Sequence, residues 1–121
     1  MTAPTALTLY GIPNCDTVKK ARAWLAEHGV AVAFHDFKKQ GVPEAALDAW
    51  IAAVGWEALV NRSGTTWRKL DTAAQAAVTR ADSARALLLA HPSAIKRPVV
   101  QWPDGAITVG FQPERFRQRL D

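Results

Sequence analysis

An α/β fold with one mixed four-stranded sheet, interrupted between its second and third strands by an all-helical insert, is predicted by three observations. The first third of the chain reads strand, helix, strand, an order that favours a parallel pair. A long middle stretch carries only helical periodicity. The last third switches to two short β-period runs about a turn, which is an antiparallel hairpin.

The elements follow in order. Ala6 to Tyr10 is apolar enough for a buried strand, and Gly11 with Pro13 stops it. Asn14 is a good N-cap for a helix starting at Cys15, with Val18, Ala21, Trp24, Leu25 and His28 at helical spacing and Gly29 as C-cap. Val30–Phe37 reads as the second strand, and Lys38-Lys39-Gln40-Gly41 as a turn.

Pro43-Glu44 opens a helix whose Ala46, Leu47, Trp50, Ile51 and Val54 keep one face up to Gly55. Trp56–Val60 is a short helical piece, and Asn61–Thr66 a polar loop before Trp67. Thr72 and Gln75 have capping-box spacing, and Ser83 caps a helix running through Ala84, Leu87 and Leu88 to His91-Pro92. The hairpin is Val99-Val100-Gln101-Trp102, Pro103-Asp104-Gly105, Ala106-Ile107-Thr108-Val109, and Pro113-Glu114 starts a last helix with Phe116 and Leu120 as its apolar contacts. A thioredoxin-like sheet has this element order. The chain reads as a single domain over residues 1–121, with the helical insert at about 43–91.

Composition narrows the function classes. With 121 residues, 49% hydrophobic and 21% charged, the chain is an ordinary globular domain rather than a disordered one. One cysteine excludes an intramolecular disulfide and points to a reducing, cytoplasmic setting, where any disulfide joins a second molecule such as glutathione or a protein thiol. The N-terminus lacks a signal-peptide pattern, and no apolar run approaches the roughly 20 residues of a membrane helix. A net charge of +4 without a basic patch interleaved with aromatics argues against a nucleic-acid partner. His28, His35 and His91 lack metal-ligand spacing, so no metal and no bound cofactor is expected, and the chain is read as a monomer.

Cys15 is the candidate nucleophile. A thiol at the first turn of a helix meets unpaired backbone N–H groups and the positive end of the helix dipole, and both favour the reactive thiolate. In an open α/β sheet, the carboxyl end of the first strand is also where ligands gather. Pro98 cannot donate a ladder hydrogen bond and so begins the third strand. Arg97 before it carries a planar, permanently charged fork that suits an anion or a thiolate.

Three ordered stretches, Gly11–Ala21, Asn61–Leu70 and Lys96-Arg97-Pro98, together resemble the arsenate reductase (ArsC)/Spx family, most closely its small YffB-type members, over about Leu7 to Phe116. The resemblance implies a thioredoxin-like fold with a helical insert, a catalytic or redox-sensing Cys15, and Arg97 beside a cis Pro98 near the sulfur. It also places Trp67 by a segment facing the active site, where it lines a substrate groove or packs in the core. Around the sulfur, Asn14, Asp16, Thr17, Arg62, Trp67 and Pro98 are the candidates for binding the thiolate or the substrate.

The chain departs from the family's better-known members at particular positions. Val18 stands where Spx regulators have their second cysteine, and Gly11 where arsenate reductases have a histidine. Of their three oxyanion arginines only Arg97 matches; the second falls near Asn61, displaced by one to Arg62, and the third near Gly110. The leading expectation is a thiol reductase in which Cys15 forms a mixed disulfide and glutathione, as co-substrate, resolves it. Alternatives are an Spx-like regulator docking on RNA polymerase without turnover, and an arsenate reductase.

Overall fold

A computed structural model describes residues 7–120, so Ala6, read as the first residue of strand one, lies outside the described residues. The chain divides into two compact units, one formed by the chain up to Gln40 together with that from Arg97 onward, the other by Gly41–Lys96.

The first unit holds the sheet. Strands β1 (Leu7–Gly11), β2 (Val32–Asp36), β3 (Val99–Gln101) and β4 (Ile107–Val109) lie in the order β2-β1-β3-β4. β1 and β2 are parallel, whereas β1–β3 and β3–β4 are antiparallel, so the sheet is mixed as expected. Helix α1 (Asp16–Glu27) buries Val18, Ala21 and Leu25, the stripe the periodicity predicts. These residues join Leu7, Leu9, Val100, Trp102 and Phe116 in one core. Full burial of a large apolar side chain is worth about 1.5–3 kcal/mol, so this cluster carries much of the unit's stability.

Local chemistry explains the differences from the expected elements. Lys38–Gln40 is helical, not a plain turn, because Asp36 caps α2 (Phe37–Gln40): its Oδ1 accepts from the Lys38 N–H at 2.8 Å, and its own N–H donates to Gln40 Oε1 at 3.1 Å. Those bonds are why Asp36 can be buried. In α8 (Pro113–Leu120), Phe116 is 2% exposed while Leu120 is 39% exposed, so Leu120 is not the apolar contact expected of it; one anchor is enough for two turns.

The second unit is the helical insert: α3 (Glu44–Val54), α4 (Trp56–Leu59), α5 (Thr65–Lys69), α6 (Thr72–Ala76), α7 (Ala81–Ala90) and a 3-10 turn at Pro92–Ala94. α3 packs on α4 and α7, and Arg85 of α7 reaches Asp48 (2.6 Å) and Glu44 (3.2 Å) on α3. A bridge between Val60 and Ile95, flanked by Asn61 N–H to Ala94 C=O (2.8 Å) and Lys96 N–H to Leu59 C=O (2.7 Å), joins the insert's early and late parts.

Caps here sit off their expected places. Asp71, not Thr72, caps α6, its carboxylate accepting from the Ala74 N–H at 2.7 Å. Ser83 is the third residue of α7 rather than its cap; its hydroxyl reaches back to the N–H (3.1 Å) and C=O (2.9 Å) of Arg80. The polar loop ends at Gly64, because Thr65 and Thr66 already belong to α5.

Candidate active site around Cys15

The site is built where β1 stops. After Gly11 the chain turns, Cys15 N–H donating to Ile12 C=O at 3.2 Å, and Cys15 takes an extended conformation (φ −85°, ψ 124°) directly before α1. Its carbonyl accepts the first helical bond from Lys19 at 2.9 Å. Cys15 is therefore the N-cap itself, and Asn14, expected to cap, is an exposed turn residue one place too early. A sulfur at the N-cap faces the second and third amides of the helix, those of Thr17 and Val18.

Arg97 arrives from the far end of the sequence. Antiparallel pairing of β1 with β3 sets Tyr10 opposite Val99, which brings the preceding Arg97 and Pro98 beside the turn that carries the cysteine. The Arg97–Pro98 peptide bond is cis, and the Pro98 carbonyl accepts from the Gly110 N–H at 2.8 Å. Arg97 is half-buried and hydrogen-bonds the Cys15 sulfur.

Opposing influences act on the thiol. Partial burial among the core side chains is the largest single one and pushes the pKa up. Against it stand the Val18 amide, the Arg97 hydrogen bond, the Arg97 charge and the Thr17 amide, which together bring the pKa below its ordinary value. The sulfur makes no cap hydrogen bond of full geometry, yet both amides are directed at it closely enough to favour the anion.

Because ionisation is easier in the folded chain, the thiolate stabilises the fold. That contribution is fully present above the ordinary thiol pKa and is lost as pH falls through the lowered folded value. Replacing Arg97 by Met removes a hydrogen bond and a charge together. Arg97→Met is expected to move the pH midpoint of Cys15 alkylation upward, measured from iodoacetamide rates across a pH series; an unchanged midpoint would show that the helix amides alone set the thiol.

Of the residues singled out from sequence, Cys15, Thr17, Arg97 and Pro98 come together here. Asp16 is the first residue of α1 and is exposed, outside the set of groups that lower the thiol pKa. The Val18 amide was missed; counting three residues from the true cap would have found it. Arg62 and Trp67 come together in the insert, where the Arg62 guanidinium lies 5.6 Å from the Trp67 ring and 5.9 Å from that of Trp56. The Trp67 carbonyl accepts from Gln75 Nε2 at 2.8 Å.

Two of the departures have steric causes. A Cβ on Gly11 would stand 2.7 Å from Val18 Cγ2, so the position of the arsenate reductases' histidine has no room for a side chain while Val18 fills the space. Gly110, near their third arginine, has φ 88°, in the region that L side chains rarely adopt.

Comparison with known proteins agrees with this fold. An uncharacterised Haemophilus influenzae protein is 38% identical over 111 residues, spanning 92% of this chain and 96% of its own. The YusI protein of Bacillus subtilis is 31% identical, spanning 93% and 97%. Global transcriptional regulator Spx of Streptococcus agalactiae is 26% identical, spanning 94% and 82%. Among solved structures, a YffB protein superposes with TM-score 0.90 at 47% identity, covering 96% of this chain and all of its own. An arsenate reductase (ArsC) related protein from Brucella melitensis gives 0.76 at 46% identity, covering 100% and 99%. The fold thus recurs in a known group, and the model of the ArsC family matches residues 10–119: this chain belongs to the ArsC family.

Proposed function

We propose that the protein is a glutathione-dependent thiol reductase that works through one sulfur. The observation that carries this reading is the thiol at the start of α1, held below its ordinary pKa by two helix amides and by Arg97. Membership of a family that includes arsenate reductase-related proteins supports a thiol-based reduction.

The Cys15 thiolate attacks one sulfur of an oxidised substrate. A new S–S bond forms as the substrate's own breaks, and the departing thiolate takes up a proton. Cys15 is the chain's single cysteine, so the second attack comes from outside, with glutathione as co-substrate in a reducing, cytoplasmic setting. Arg97 pairs with the sulfur or with a glutathione carboxylate, and the Thr17 and Val18 amides hold the negative charge whenever it returns. In the insert, Arg62, whose guanidinium lies 5.6 Å from the Trp67 ring, makes a cationic, aromatic surface. No helix among the described residues is long and apolar enough to cross a membrane.

Incubation with oxidised glutathione followed by intact-mass measurement tests the reading. One glutathione per chain, mapped to Cys15 and released by reduced glutathione, is expected; a chain of unchanged mass overturns it. The Spx relative favours a second reading, a regulator that docks on RNA polymerase without turnover. Retention of cellular function by a Cys15→Ser strain, with polymerase recovered on pull-down, would select that reading instead.

A further inference from the structure

β2 is an edge strand: the sheet order places β1 on one side of it, and among the described residues it pairs with no other strand. Its outer side therefore presents backbone N–H and C=O groups to which another extended chain can bond. Along the same edge a groove of about 520 Å³ opens between β2 and α1, within the range of ligand sites. Val30, Val32 and Phe34 form its floor, and the small side chains of Ala23 and Ala26 its helix wall.

The rim carries charge of one sign. Lys19 and Arg22 line the groove, and none of the lining residues is acidic. The Arg22 guanidinium lies 4.2 Å from the centre of the Phe34 ring; stacked in this way it is held in place while its outer N–H groups still face solvent. Lys19 stands one helical turn from the cysteine, its N–H bonded to the Cys15 carbonyl.

Apolar floor, cationic rim and open strand edge together select one kind of occupant. A strand added to β2 sends alternate side chains toward α1, where apolar ones find the space over Ala23 and Ala26 and acidic ones meet Lys19 and Arg22. We propose that this groove binds an extended segment of a protein substrate whose α1-facing residues, every second one along the segment, include both apolar and acidic side chains, next to the mixed disulfide that Cys15 reduces. The identity of the substrate as a protein rests on the thiol-reductase reading; the groove's choice of an acidic segment does not.

For a glutathionylated segment the chemistry closes on known parts. The Cys15 thiolate attacks the glutathione sulfur, the Cys15–glutathione bond forms as the segment's S–S bond breaks, and the segment's sulfur leaves as a thiolate and is protonated. A second glutathione thiolate then attacks the Cys15 mixed disulfide, giving glutathione disulfide and the free Cys15 thiolate. The segment's sulfur is reduced, and two glutathiones end as one disulfide.

The experiment compares two glutathionylated peptides in which every second residue is threonine and the residues between are in turn valine and a charged residue, glutamate in one peptide and lysine in the other, together with hydroxyethyl disulfide as a small substrate lacking any segment. Wild type is expected to reduce the glutamate peptide about tenfold faster in kcat/KM than the lysine peptide. Arg22→Glu should invert that order, and Ala26→Trp, which fills the groove from an exposed helix position, should raise KM for the glutamate peptide. Turnover of hydroxyethyl disulfide should be the same in all three proteins. Equal rates for both peptides in wild type, with hydroxyethyl disulfide turned over, overturn the groove proposal. Should no disulfide be reduced, the reductase reading fails, and the groove is decided by fluorescence anisotropy with a labelled glutamate peptide carrying serine for cysteine: binding by wild type and not by Arg22→Glu supports it, and no saturable binding overturns it.

Discussion

Cys15→Ser is expected to lower disulfide reduction by about a thousandfold or more while leaving the fold at least as stable. The loss follows from the chain's having one sulfur: a hydroxyl at that place is not ionised at neutral pH and forms no mixed disulfide, and no second cysteine can take over. Stability runs the other way. Position 15 is the N-cap of α1, where serine ranks among the favoured residues and its oxygen accepts from the helix amides. The measurements are glutathione-coupled turnover of hydroxyethyl disulfide and urea denaturation on the same samples. A Cys15→Ser protein that still turned over would move the chemistry to another group and end the single-sulfur mechanism.

Gly11→Ala is expected to destabilise the protein by about 1–3 kcal/mol and to weaken the thiolate as well. The new methyl would stand 2.7 Å from Val18 Cγ2 and 3.4 Å from Cγ1. Val18 cannot yield, because it is fully buried in the core and its β-branched side chain is limited to one rotamer in a helix. Relief must come from moving the first turn of α1 off the end of β1. That turn carries the Thr17 and Val18 amides, so their aim at the sulfur is disturbed and the alkylation midpoint of Cys15 should rise.

Trimming the neighbour makes the argument testable as a cycle. In a Val18→Ala background, where the colliding carbons are absent, Gly11→Ala should cost less than it does alone, and urea denaturation of the four proteins gives the coupling. Strict additivity would show that Gly11 and Val18 do not compete for the same space. The same contact bears on arsenate chemistry: a Gly11→His chain cannot regain the arsenate reductases' histidine while Val18 remains.

Much of the fold was legible because periodicity and punctuation are local. Gly11 and Pro13 end β1, the stripe of Val18, Ala21 and Leu25 is the buried face of α1, and Pro103-Asp104-Gly105 joins the hairpin strands. What was misjudged was also local, decided by competition between neighbouring polar groups. Asp71 outcompetes Thr72 as a cap, Asp36 turns an expected loop into α2, and Cys15 takes the place read for Asn14. The hydrogen bond goes to whichever oxygen or sulfur has the right offset from the helix amides, and a one-residue shift leaves little trace in composition.

By itself the sequence determined that one cysteine would stand where a strand gives way to a helix, that a helical insert would separate two pairs of strands, and that any resolving thiol must come from another molecule. Tertiary structure decided the rest. The Tyr10–Val99 register brings Arg97 to a sulfur far from it in sequence, and the balance of burial against two amides and a guanidinium sets the direction of the thiol pKa. Placing β2 at the edge leaves a basic groove one turn from the cysteine. Each depends on residues distant along the chain meeting in space, which hydrophobic spacing and helix caps, acting over a few residues, do not encode.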